Sequence, residues 1–313
     1  MRKYLIISID TECDKGPGWK VRHPLSFEGV YRGIGEILQP LFEEYGFRAT
    51  YLISPEVMED EASVGLLKDV LRRSAELGTH LHGEFVEPFR KEDVERTEEL
   101  AADYSADVEL EKLRNLTELF RSVFGFAPLS YRAGRFSISS RTVRFLEDLG
   151  YRVDSSLTPF SAVSGVDHTR APVYPYYPDY TDIYRPGNSK ILEVPITILP
   201  QNPLLFDILK STPLFRFRRF RRWIKERYGN LWLRPTVSGA SQVEKIVEIY
   251  RKMFPGRPMF FNMMFHNVEV VDGMSPYDAA VVRANLREIL SYLRGHGFEP
   301  LTLKEVVDEY DGA

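Results

Sequence analysis

The chain alternates short, uniformly apolar runs with longer stretches of helical period. Tyr4–Ile9 is continuous in β-branched and aromatic residues, as expected of a strand covered on both faces. Runs of the same kind stand at Ala49–Ile53, Tyr151–Val153, Ile191–Ile196, Met259–Phe265 and Leu301–Leu303, with weaker ones at Thr79–His82 and Ser130–Ala133. Between them, Gly29–Tyr45 places Val30, Ile34, Ile37, Leu38, Leu41 and Phe42 close to the helical repeat. Val64–Leu77, Val108–Val123, Ser140–Leu149, Val243–Met253 and Tyr277–Leu293 read the same way. Glycines at 46, 78, 150 and 295 stand where helix C-termini are expected.

Strands alternating with helices predict a parallel sheet. The number of units predicts a distorted TIM-like (β/α) barrel of seven or eight strands, with residues 1–313 forming a single domain. Two segments break the rhythm. Residues 161–190 are rich in proline and tyrosine and carry no period, which predicts a long loop over one end of the barrel. Its Tyr174, Tyr176, Tyr177, Tyr180 and Tyr184 would either stack on a sugar or pack the loop down. Residues 201–235 read as an insertion with one helix, Leu214–Tyr228.

Composition narrows the possibilities. The 41 basic and 45 acidic residues leave a net charge of −4, which argues against nucleic acid as a partner. Apolar residues at 43% exclude a disordered chain. Cys13 is the only cysteine, so neither an intramolecular disulfide nor a multi-cysteine metal site can form. We read no signal peptide and no apolar run of membrane-spanning length, and expect a cytoplasmic protein.

Side chains able to do chemistry gather at strand ends. Asp10 and Glu12 follow the first strand at i and i+2, so on an extended chain both carboxylates face one way. A capped, solvated strand end is the plainer reading. His80 and His82 share the same spacing and can reach one metal ion. Were the segment helical, His80 and Glu84 would share a face instead. Arg132 lies near the end of the Ser130–Ala133 run, where a guanidinium can orient a carboxylate or make a surface ion pair. Asp154 follows the Tyr151–Val153 run, a place for a turn residue or a catalyst. His266 closes Met259–Phe265 and suits acid–base work near neutrality, or a hydrogen-bonded place in the core. A parallel barrel would bring all these strand ends to one rim.

In this order the motifs resemble the polysaccharide deacetylases, carbohydrate esterases of family four, and most closely a subgroup reading His-Leu-His. The resemblance implies a divalent metal, with zinc expected, held by Glu12, His80 and His82. It implies Asp10 as base, Arg132 holding that base, Asp154 as a match to the fourth motif and His266 as general acid. The implied activity is removal of N-acetyl or O-acetyl groups from a glycan or polysaccharide. Departures from the pattern are plain. The usual second histidine is absent, leaving His82 or Glu84 to serve, and Gly134 and Arg135 replace a proline and a tyrosine. The partner of His266 is open between Asp154 and Glu269. A metal-dependent amidohydrolase and a non-catalytic glycan-binding protein are the competing readings. Separately, Arg216, Arg218, Arg219, Arg221 and Arg222 interleave with Leu214, Phe215, Phe217, Phe220 and Trp223. That pattern predicts peripheral contact of residues 214–228 with an inner membrane surface, or a surface helix with its aromatics turned inward.

Overall fold

The computed structural model describes residues 2–89, 100–163 and 165–312. Its strands are β1 (Lys3–Thr11), β2 (Ala49–Ile53), β3 (Glu76–Leu81), β4 (Ser130–Ala133), β5 (Val153–Asp154), β6 (Ala162–Val163), β7 (Val166–Asp167), β8 (Leu192–Glu193), β9 (Ile198–Pro200), β10 (Asn230–Trp232), β11 (Met259–His266) and β12 (Glu299–Leu301). Eight of these make one parallel sheet in the order β11-β1-β2-β3-β4-β5-β8, with β12 also paired to β1. Because β11 runs along residues 3–10 of β1, the other edge of β1 is shared: β12 beside Tyr4–Ile6, β2 beside Ile7–Thr11.

Side chains alternate across this sheet with the strand period of two. Leu5, Ile7, Tyr51, Tyr131 and Phe261 face the helices and join their apolar sides in one large core. Tyr4, Ile6, Leu52, Val153, Leu192, Phe260 and Leu301 form a second cluster on the opposite face. Residues from both ends of the strand order can meet there only because the sheet curls strongly. It forms a half-barrel rather than the closed barrel expected: β5 and β8 are two residues each, and no ladder joins β8 to β11. Single bonds stitch the two edges instead. Thr197 N donates to Asn262 O at 3.0 Å, and Asn262 Nδ2 donates to Val194 O at 3.0 Å.

Some boundaries differ from the sequence expectation. The helix expected to reach Leu77 is Glu61–Arg72, and Ser74, at φ 70°, makes the left-handed turn expected at Gly78. Gly78 lies inside β3, where a Cβ would stand 2.6 Å from Ser130 O. Close approach of β4, rather than a helix cap, is why glycine belongs there. Gly295 closes the helix Ala279–Gly295, and the left-handed residue beyond it is Gly297, at φ 75°. Residues 203–210 form a helix where none was expected. Leu204, Leu205, Phe206, Ile208 and Leu209 are too uniformly apolar to show a helical period. The tyrosine-rich loop is packed down: Tyr174 lies against Tyr250, Phe254 and Phe260, and the Tyr177 hydroxyl donates to Asp311.

Candidate metal and acid–base site

Along the concave face the strands change character from one end to the other. Tyr4, Ile6 and Phe260 fill the end where β1 and β11 begin. Toward their C-terminal ends Ser8, Asp10, Asn262 and His266 take over. Parity carries Glu12, His80, His82 and Arg132 to the same face. The structure thus brings together six of the seven side chains expected at the site.

Glu12 Oε1 lies 3.0 Å from His80 Nε2 and 2.9 Å from His82 Nε2, and the two Nε2 atoms are 3.2 Å apart. All three residues are buried, and they form a cluster able to coordinate a divalent metal. Bonds of about 2.1 Å to a tetrahedral ion imply ligand–ligand edges of roughly 3.4 Å, close to those seen. The donor set fits as well. His80 Nδ1 lies 3.0 Å from Arg132 O, which can only accept, so Nδ1 donates and Nε2 of the neutral ring offers its lone pair. His82 Nδ1 lies 3.2 Å from Glu84 Oε1, with the same consequence. Three electron-rich atoms therefore converge on one point, an arrangement that calls for a cation between them. Without one, the site takes a proton: although burial disfavours charge on His82, Glu12 and Glu84 push its pKa up to about 10. Glu84 is not in the cluster: it lies on the Nδ1 side of His82 and accepts from Arg135 Nη2 at 2.8 Å.

Asp10 and Arg132 form the second part. Arg132 is fully buried; its Nη1 donates to Asp10 Oδ1 at 2.5 Å, its Nη2 to Ser8 Oγ at 2.7 Å and Ser155 Oγ at 2.8 Å, and its Nε to Ser155 O at 2.7 Å. Asp10 Oδ2 faces His80 Nε2 at 3.9 Å and His266 Nε2 at 3.8 Å. Burial alone would raise the Asp10 pKa, but Arg132 and the two imidazoles hold it below the usual carboxylate range.

His266 forms the third part. Its Nδ1 lies 2.8 Å from Glu269 Oε1, and Glu269 also receives Arg234 Nη2. Burial works against ionisation of Glu269, and Arg234 and His266 overcome it and keep the carboxylate charged. This answers the open question about the partner of His266. Asp154 lies elsewhere. One residue out of phase with Val153, it turns to the helix side of the sheet, accepts from Ser156 Oγ at 2.6 Å and pairs with Glu193. Burial raises the pKa of both acids, and their mutual repulsion raises Glu193 further.

Several contributors carry no motif signal. Asn267 brackets the Glu12 backbone, accepting from its N and donating to its O, both at 3.0 Å. Lys15 Nζ sits 3.0 Å from Glu12 Oε2, leaving Oε1 for the histidines. Lys112, buried in the helix Ala106–Phe124, donates to Gly83 O, Val86 O and Pro88 O, pinning the loop that follows His82. Arg234 comes from the end of the insertion. Trp19 presents its ring to His266 edge to face, centroids 4.9 Å apart, and also meets Tyr277 at the rim. A lysine or an asparagine in such places looks in sequence like any surface residue. Cys13 is buried, outside the ligand cluster, and burial with Glu56 nearby pushes its thiol pKa up.

No protein-family model and no curated protein matches the sequence. Solved structures do resemble the fold. A putative polysaccharide deacetylase from Mycobacterium smegmatis aligns with a TM-score of 0.56 at 14% identity, covering 99% of this chain and 91% of that one. A 4-alpha-glucanotransferase from Thermococcus litoralis also aligns at 0.56 and 14%, over 98% of this chain and 40% of the other. At these identities the likeness is one of fold. It does not choose between the two chemistries; the side chains must.

Proposed function

We infer that the chain is a metal-dependent hydrolase that removes an acetyl group from nitrogen or oxygen of a glycan. One observation carries this reading: a three-atom donor cluster stands beside an arginine-held carboxylate and a carboxylate-held histidine. Glu12, His80 and His82 would hold the ion, which when bound supplies a Lewis acid for the acetyl oxygen and lowers the pKa of a water. Zinc suits a site of two imidazoles and one carboxylate.

The residues of the chain then divide the proton work. Arg132 occupies Asp10 Oδ1, so Oδ2 is the atom left to take the proton of the attacking water. His266 Nε2 lies across from it, and a second proton there makes this histidine the donor to the departing amine or alcohol. Glu269, buried and ionised, stabilises that imidazolium and fixes the ring. Trp19 and Tyr277 at the rim offer aromatic surface for a sugar ring. The fold likeness to the Mycobacterium smegmatis protein agrees with this reading.

The test has two arms. Purified protein should bind a stoichiometric divalent ion and release acetate from one or more of a panel of acetylated glycans. Asp10→Asn should keep the ion and lose about 100-fold or more in kcat. A protein that binds no metal, or an Asp10→Asn variant of undiminished activity, would refute the proposal.

A further inference from the structure

The chain is acidic overall, yet residues 201–235 carry nine lysines and arginines against two acids. In the fold these residues bridge β9 and β10, which pair antiparallel, so the insertion stands as a helical hairpin on a two-stranded stem. Its helices are Pro203–Lys210 and Arg218–Tyr228, with a short turn of helix at Pro213–Arg216 between them.

This hairpin has two apolar faces. Phe206, Phe215 and Ile224 turn inward: the ring of Phe206 packs edge-on against Phe160 at 4.4 Å and against Phe215 at 5.6 Å. That face accounts for the hairpin's own packing. Leu204, Ile208, Leu214, Phe217 and Trp223 remain outside, from 48% exposed at Trp223 to 78% at Leu204. Trp223 stacks on Phe220, and the outer faces of the set stay in solvent. Arg216, Arg218, Arg219 and Arg222 are exposed among them. The last three line a cleft with Asp167 and Thr169.

We propose that the hairpin 203–228 is a docking surface for an anionic lipid bilayer, with Leu204, Ile208, Leu214, Phe217 and Trp223 entering the interface and the arginines meeting headgroup phosphates. Protruding side chains that are apolar and cationic by turns match a bilayer edge, where acyl chains lie just beneath charged headgroups. Soluble polyanions offer nothing to an exposed leucine or isoleucine. No helix among the described residues is long and apolar enough to cross a membrane, so the contact is peripheral. It requires nothing of the chemistry proposed above. The stem does connect it to that site, because Arg234, two residues beyond β10, holds Glu269 and through it His266.

Vesicle sedimentation of the full chain tests this. The protein should pellet with vesicles containing about 30% phosphatidylserine at about 0.1 M salt, and much less with phosphatidylcholine alone or at about 0.5 M salt. Phe217→Ser with Trp223→Ser, and separately Arg216→Glu with Arg219→Glu, should each weaken binding at least about tenfold while leaving metal content and far-ultraviolet circular dichroism unchanged. Binding that ignores lipid charge or survives both double variants overturns the proposal. So does failure to bind vesicles alongside salt-sensitive retention on heparin, which would make the patch a site for a soluble polyanion.

Discussion

Arg132 is the residue on which the acid–base half of the site turns. With no exposure, it donates to an aspartate, two serine hydroxyls and a carbonyl from four directions. A lysine ammonium has no planar fork to reproduce this set. Arg132→Lys should therefore cost about 3 kcal/mol of stability, seen by denaturant titration, and leave Asp10 poorly oriented, seen as a fall in kcat larger than any rise in KM. His168 makes a separate prediction. It is buried, accepts from Thr158 N at Nδ1, and burial lowers its pKa to about 4. The unfolded chain binds this proton near pH 6.5 and the folded chain only near 4, so stability falls as pH drops through that window. The loss reaches about 3 kcal/mol by pH 4, and His168→Gln should flatten that part of the curve.

Elements hold Glu12 and the two histidines in place through groups outside their cluster. The loop after β3 depends on Lys112, whose ammonium satisfies three carbonyls at once. Lys112→Met should strand those acceptors and free the loop. The expected outcome is a loss of a few kcal/mol and roughly tenfold weaker metal binding by calorimetric titration, with Glu12 and both histidines intact. At β3 itself, Gly78→Ala places a methyl against Ser130 O and should destabilise by about 1–3 kcal/mol, lowering the melting temperature. The helix beginning at Gly29 shows the same economy of space: a Cβ at Gly29 or Gly33 would meet Asn267, the residue that brackets Glu12.

At the scale of the molecule, the proposed metal binding would be linked to folding. Glu12 lies beyond β1 and His80 and His82 at the end of β3, so an ion held by all three ties separate strands together. Saturating metal should raise the melting temperature, by a stabilisation of about 4 kcal/mol when the ion stands at a thousandfold its Kd. Chelation should reverse the shift, and His80→Ala with His82→Ala should abolish it. A shift that persists in this double variant would place the ion elsewhere.

What the sequence determined by itself is the part governed by local periods. Apolar runs and helical repeats located most strands and helices, and i, i+2 spacing put Asp10 with Glu12 and His80 with His82, because an extended backbone repeats every two residues. The same rule, carried from strand to strand by register, places Asp154 on the wrong face, and register is a tertiary quantity. Tertiary structure alone decided that the half-barrel stays open, that Glu269 with Arg234 rather than Asp154 serves His266, that Lys15 and Asn267 hold Glu12, and that Lys112 pins the loop after His82. Arg234 with Glu269, Lys112 with Gly83 and Asn267 with Glu12 join residues far apart along the chain. Lys15 and Glu269 lie only three residues from their partners, and their roles are set by burial and neighbours, which periodicity does not encode.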